Sequence, residues 1–174
     1  MIIRLYRTSS GRCPVEDFIS ELPKRDQADI FAVIEDIRGH GLNAPLVSMR
    51  QIIGKMSVRS DHQRKIGREI EKFPTIDQII KEKEEKDSEF ESEMNRARLR
   101  VAIARAIKIA REKAGLTQIE LADALGIKQS QIARLESLKD KRLPSIDLLV
   151  KITNVTHRKI VVDQPLYRIE LVAK

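Results

Sequence analysis

The chain has 174 residues, of which 41% are hydrophobic and 34% are charged, and its formal net charge at pH 7 is +7. This composition can supply a hydrophobic core, which excludes a wholly disordered chain. Tryptophan is absent and aromatic residues make up only 3%, which disfavours binding of single-stranded nucleic acid by stacking on aromatic side chains.

The first forty residues predict one strand and two helices. Residues 2–6 are rich in β-favouring side chains and predict a short strand. Pro14 opens one predicted helix and Pro23 precedes a longer one, which Gly39 and Gly41 end. Apolar residues recur at helical spacing along the second helix and predict its buried face: Ile30, Phe31, Val33, Ile34 and Ile37.

This part of the chain is similar to the amino-terminal part of HigB/RelE-type toxins of the phage-related branch. The similarity is carried by the opening strand, by SGRCPVEDFISELPKRDQ and HGLNAP, and by LVSMRQIIGKMSVRSDHQR. In those toxins the helical pair precedes a curled antiparallel sheet that carries messenger-RNA cleavage on the ribosome. The resemblance implies a toxin-like segment over residues 1–65.

The sequence departs from the toxin pattern where the catalytic sheet would continue. Arg59 falls at the arginine of a Glu-Leu-Arg strand, but a serine replaces the glutamate, and Arg64 lies near a second basic position. Residues 65–95 hold too few apolar side chains for the remaining strands. His62 and Lys65 would complete a base and cations for RNA cleavage, but all four residues equally suit a solvated loop, and we assign no catalytic site.

Residues 66–95 mark the predicted boundary between two domains. TIDQIIKEKEEK predicts a short capped helix, and KEKEEKDSEFESE is a charge run that we expect to be solvated. A short helix before an acidic stretch with DSEF resembles the amino-terminal arm of HigA-type antitoxins, which commonly docks on the toxin. The segment is therefore interpreted as a charged linker or antitoxin arm, with a HigB/RelE-type toxin as a candidate partner.

The stretch LTQIELADALGIKQSQIARLE, residues 116–136, has the residue types of a helix-turn-helix at the required spacing. Two helices that cross at about 90–120° need a small residue at their contact and often a glycine in the turn. Ala122 and Gly126 meet these demands. An ordinary amphipathic helical hairpin is the alternative. The side chains that would close the inner face are Leu121, Leu125, Ile127, Ile132 and Leu135.

The order LTQ, LA, glycine, polar run and R-x-E resembles the Xre (phage repressor-like) helix-turn-helix family. The resemblance implies that residues 96–174 form an Xre-type DNA-binding domain. RARLRVAIARAIKIAREKAG predicts its first helix, ended at Gly115, and SIDLLVKIT predicts another helix after Pro144. The apolar stripe of the first helix comprises Val101, Ala102, Ile103, Ala106, Ile107 and Ala110.

The tail RKIVVDQPLYRIELVAK predicts two strands. A lone hairpin is marginal, so pairing with a second chain is its most economical use, with packing on the chain's own helices or on the amino-terminal strand as alternatives. The predicted fold class is α+β: a mostly helical Xre-type (phage repressor-like) helix-turn-helix bundle with a C-terminal β-hairpin, preceded by a small β-α-α (incomplete RelE-like) segment.

Positive charge concentrates in the helix-turn-helix half. Residues 1–60 carry a net +2 and residues 61–95 a net −4, whereas residues 96–174 hold 17 Lys and Arg against 8 Asp and Glu, a net +9. Phosphates supply much of the affinity of DNA-binding proteins. The distribution therefore favours double-stranded DNA as the partner of this half.

The candidate site residues divide into base readers and backbone contacts. Gln129, Ser130 and Gln131 are the leading readers in the major groove, because Gln can pair bidentately with adenine. Arg134 follows, on guanine or on phosphate. The residues assigned to the DNA backbone are Thr117, Gln118, Lys128, Lys139, Lys141 and Arg142.

We predict a DNA-binding, antitoxin-type transcriptional repressor of a HigBA-like toxin-antitoxin operon, which binds a palindromic operator as a homodimer. An RNA endonuclease of the RelE/HigB type and a protein-interaction module are the alternatives. Cys13 is the only cysteine, which excludes an intrachain disulfide and a cysteine-based zinc site. Neither a signal peptide nor an apolar run of about 18 residues is present. We therefore expect a cytoplasmic protein with no membrane partner, no cofactor and no metal.

Overall fold

The computed structural model describes residues 2–5, 7–8, 10–41, 73–138, 141–164 and 167–173. The chain divides into two compact units, Met1–Ala97 and Arg98–Lys174. Seven helices and one two-stranded sheet lie in the described ranges, and the mostly helical fold with a small carboxy-terminal sheet is confirmed. The elements are α1 (Pro14–Ser20), α2 (Lys24–His40), α3 (Ile76–Lys86), α4 (Ser88–Lys113), α5 (Gln118–Leu125), α6 (Gln129–Glu136), α7 (Ile146–Thr156), β1 (Ile160–Gln164) and β2 (Tyr167–Leu171).

The first unit contains both predicted amino-terminal helices. α1 carries Pro14 in its first turn, where the missing N–H costs nothing. α2 ends at His40 and is followed by Gly41, which has a φ of 70°. The predicted strand over residues 2–6 is wrong for the residues described there: Arg4 forms only an isolated antiparallel bridge with Thr75. The single bridge at Arg4 does not extend into a ladder along the described residues 2–5.

The charged segment after Thr75 packs against α2. Phe31 on α2 and Phe90 on α4 are buried edge to face, with ring centroids 6.0 Å apart. Lys24 at the start of α2 bridges Asp87, at 2.9 Å, and Glu89, at 2.6 Å. The expectation of a solvated charge run is therefore wrong in part, because the run folds into two helices whose apolar side chains are buried while their charged ones pair at the surface.

The second unit has a core made by α4, α7 and the hairpin. The predicted stripe of α4 is buried except for Ala106, which is half-buried, and Ala104 joins it. The predicted helix after Pro144 is confirmed as α7, and Ser145 caps it by accepting a hydrogen bond from the N–H of Leu148 at 3.2 Å. The buried members of this cluster are Ala102, Ile103, Ile107, Ala110, Leu149, Ile152, Ile160 and Val162.

The predicted carboxy-terminal hairpin is confirmed. β1 and β2 are antiparallel, with Ile160 opposite Leu171 and Val162 opposite Ile169. Cross-strand partners lie on one face of a sheet, and on this face Ile160 and Val162 are fully buried against α4 and α7. The hairpin thus packs on the helices of its own unit, which was one of the alternatives. No described helix is long and apolar enough to cross a membrane.

Candidate nucleic-acid interface

α5 and α6 are joined by a tight turn at Gly126. α5 begins with a reciprocal capping box: Thr117 Oγ1 accepts from the N–H of Glu120 at 3.2 Å, and Glu120 Oε2 accepts from the N–H of Thr117 at 2.7 Å. α5 ends at Leu125, and the next residue, Gly126, has φ 67° and ψ 31° in the left-handed region. A Cβ at Gly126 would meet no atom within 4 Å. The glycine is therefore required by backbone conformation and not by lack of space.

The inner face of this helix pair is closed by three side chains. Leu121, Ala122 and Ile132 are fully buried, and Leu125 and Ile127 pack against them half-buried. Ala122 lies where the two helices meet, as its small size predicts. The packing orients α6 so that its polar face is exposed: Lys128, Gln129, Ser130, Gln131 and Arg134.

A buried ion pair holds this arrangement on α4. Arg111 Nε donates to Glu136 Oε1 at 2.6 Å, and Arg111 Nη2 donates to Glu136 Oε2 at 2.8 Å. Arg111 Nη1 also donates to the carbonyl of Leu116 at 2.9 Å, which fixes the loop before α5. The hydrogen bonds to Glu136 raise the pKa of Arg111, against the opposing effect of burial. One arginine therefore ties together α4, the loop and the end of α6.

Two glutamines extend this pair to the surface. Gln118 Nε2 donates to Glu136 Oε2 at 2.9 Å, and Gln129 Nε2 donates to Gln118 Oε1 at 2.9 Å. Gln118 is half-buried and Gln129 is exposed. From the sequence, Gln118 was predicted only as a contact to the DNA backbone. No contact was predicted for Arg111 or Glu136. Of the buried pair, the helix-turn-helix pattern includes Glu136 but not Arg111.

Residues 107–161 match the family model for the helix-turn-helix. This segment is a helix-turn-helix of the Xre type. The match supports the prediction that the protein is a sequence-specific, DNA-binding regulator of transcription. No curated protein and no solved structure shows significant similarity to the chain.

Two predicted contact residues of the helix-turn-helix use their side-chain oxygens as helix caps. Thr117 Oγ1 caps α5, as described above. Gln131 Oε1 accepts from the N–H of Lys128 at 3.1 Å and so caps the start of α6. A carbonyl oxygen has two lone pairs, so Gln131 Oε1 can accept a second donor while it holds this cap bond. Ser130 and Arg134 lie on the same exposed face.

The loop that follows α6 carries further predicted phosphate contacts. Lys141 and Arg142 are exposed before α7, whereas Lys139 lies outside the described residues. Leu138, the second residue after α6, has a positive φ of 58°. A non-glycine residue in this region is disfavoured, so the chain direction after α6 is imposed by the surrounding structure.

Proposed function

We propose that this protein is an antitoxin-type transcriptional repressor that binds the operator of a HigBA-like toxin-antitoxin operon. The observation that carries the proposal is the helix-turn-helix at residues 107–161, whose second helix, α6, exposes only polar and basic side chains on its outer face. The net +9 charge of residues 96–174 supports a polyanionic partner. Double-stranded DNA satisfies both requirements.

In the proposed complex α6 lies in the major groove. Gln129, Ser130 and Gln131 read base edges, and Arg134 binds guanine or phosphate. Backbone contacts come from the start of α5, where Thr117 and Gln118 lie, and from four basic residues flanking α6: Lys128, Lys139, Lys141 and Arg142.

A two-fold dimer completes the proposal, because one recognition helix reads only a few bases. The exposed face of α7 and of the preceding loop supports such a contact: Leu143, Ile146 and Val150 are apolar and exposed. Asp147 and Lys151 flank them, 2.8 Å apart. Two α7 helices packed antiparallel about a two-fold axis would bring the acidic residue of one copy beside the basic residue of the other. The operator would then be a palindrome.

The toxin-antitoxin assignment extends the proposal to the rest of the chain, with a toxin-like segment over 1–65, an arm over 66–95 and a DNA-binding domain over 96–174. Within the first unit, the arm packs on α2 through the Phe31–Phe90 contact and an ion pair between Arg38 and Asp77 at 3.0 Å. A contact of this kind is expected of an antitoxin arm on a toxin, and it supports a HigB/RelE-type toxin as a partner. The four candidate RNA-cleavage residues at 59, 62, 64 and 65 lie outside the described residues.

Selection of bound DNA from a random pool by the purified full chain tests this function. We expect recovery of a palindrome whose half-sites are about one helical turn apart. Recovery of one unpaired half-site would contradict the dimer, and recovery of nothing above background would contradict operator binding. The operon assignment requires that the palindrome occur upstream of the protein's own gene.

Replacing Gln131 by alanine should weaken operator binding by about 1–3 kcal/mol and spare nonspecific binding, because a lost base contact acts only on the matching sequence. Loss of the cap on α6 adds a stability cost of about 0.5–1 kcal/mol, which thermal denaturation measures separately. Titrations on operator and random DNA decide between the roles. Equal weakening on both DNAs would leave Gln131 as a cap and not a reader.

Replacing Lys141 by alanine should weaken binding to operator and random DNA alike and lower the salt slope by about 1, because it removes one phosphate contact. Lys159→Ala is the matched control. It removes the same charge at the position just before β1, where Lys159 pairs with Glu170 at 3.0 Å. The measurement is the binding constant at several salt concentrations. A slope for Lys141→Ala that equals that of Lys159→Ala would place Lys141 away from the DNA.

A further inference from the structure

β2 presents an open edge in the carboxy-terminal hairpin of the second unit. In the part of the chain that the structure describes, β2 pairs with β1 and with no other strand. Arg168, Ile169 and Glu170 are all exposed, and Ile169 keeps 40% of its surface accessible. An unpaired strand edge with an exposed apolar side chain is a template for a further strand.

The register of the hairpin shows which backbone groups of β2 point away from β1. Gln164 pairs with Tyr167, and the two residues that join them leave no room for a ladder bond beyond this pair, so the pair is itself hydrogen-bonded. Hydrogen-bonded and non-hydrogen-bonded pairs alternate along an antiparallel ladder, so Ile169 also bonds to β1. The backbone N–H and C=O groups of Arg168 and Glu170 therefore point to the open edge.

Arg168 and Glu170 complement each other when two copies of β2 pair antiparallel. With the two-fold axis at Ile169, Arg168 of each copy lies opposite Glu170 of the other, and the two Ile169 residues lie opposite each other. Opposite charges across such a pair are favourable, and like charges are unfavourable. The outward backbone groups also allow an axis at Arg168 or at Glu170, but either places like charges opposite each other. Charge therefore selects the register centred on Ile169.

The two faces of the hairpin suit this pairing. On the exposed face, Glu170 Oε1 accepts from Lys159 Nζ at 3.0 Å, and Glu170 Oε2 lies 3.6 Å from Arg168 Nη2. Ile169 lies on the other face beside its cross-strand partner Val162, which is buried against α4 and α7. Pairing at Ile169 would extend this apolar face across two copies while the charges pair on the solvent side.

We propose that the edge of β2 is a self-association surface whose occupant is a second copy of this chain, paired antiparallel about Ile169 to form a four-stranded sheet. The proposal goes beyond the α7 contact of the proposed function and needs no DNA, so it stands or fails independently of operator binding. With both two-fold contacts formed, two operator-binding dimers are joined through their hairpins.

Cross-linking of Ile169→Cys under mild oxidation, without DNA, tests the register. An opposed pair of this type has Cα atoms about 4.5 Å apart, within the range of a disulfide. Val172→Cys is the control: Val172 is more exposed, at 66%, but it lies opposite residue 166 of the second copy, six positions or roughly 20 Å from that copy's Val172. The native Cys13 is buried, so wild type is the blank. We expect Ile169→Cys to cross-link about tenfold faster than Val172→Cys or more, and equal rates overturn the proposal.

Charge exchange tests the same pairing by sedimentation equilibrium. Arg168→Glu places carboxylates opposite each other at both charged pairs, and Glu170→Arg places cations there, so each variant alone should have a lower mass than wild type. An equimolar mixture of the two variants restores opposite charges and should regain the wild-type mass. Unchanged mass in both single variants overturns the proposal, and loss of mass in Val150→Asp then assigns self-association to α7. A mixture that gains no mass over its components also overturns it.

Discussion

Replacing Arg111 by methionine should destabilise the second unit by about 3–5 kcal/mol, because Glu136 would keep a buried charge without its partner. Arg111→Met/Glu136→Leu should recover much of this loss, since apolar side chains of similar volume can replace a buried ion pair at little cost. Urea denaturation of the full chain measures the change. Amide exchange in α5 and α6 assigns the transition to this unit.

Arg158→Met is the matched control for this substitution. Arg158 lies in the same unit but is exposed, and its Nη2 donates to the carbonyl of Lys113 at 3.1 Å. We expect a change within about 0.5 kcal/mol there. If the two arginine substitutions cost the same, or if the double variant is less stable than Arg111→Met, the ion pair does not hold the helix-turn-helix together.

Replacing Leu121 by alanine should cost about 2–5 kcal/mol, because the side chain is 0% exposed and the cavity would open between α5 and α6. Ile119 provides a control on the same helix: it is 61% exposed, and Ile119→Ala should change stability by less than about 0.5 kcal/mol. Thermal denaturation and operator titration of both variants give the comparison. Equal midpoints for the two would contradict the packing of this helix pair.

The helix-turn-helix was predictable because local signals agree along it. The alanine at the contact and the glycine of the turn each have a steric purpose, and the apolar spacing places the rest. The buried ion pair was not predictable in the same way. A periodic pattern assigns charged residues to the solvent face, and only a three-dimensional contact brings Arg111 to Glu136, 25 positions apart in sequence.

In the first unit, by contrast, buried residues were not predicted because the sequence around them is highly charged. Phe90 and Met94 are both buried, but they stand among acidic and basic neighbours that dominate the segment. The capped helix before them was predicted, and in the structure Thr75 and Gln78 form its capping box. The predicted strand does not form at the described residues 2–5, because β-favouring side chains need a partner strand as well as propensity.

The turn at Gly126 has a consequence for how this unit tolerates change. Its backbone has a positive φ, yet open space surrounds the position where a side chain would start. The mirror image of an L-residue prefers this region of φ and ψ, so a D-alanine would fit where an L-alanine is strained. Chirality, and not size, is the property that the junction between α5 and α6 selects.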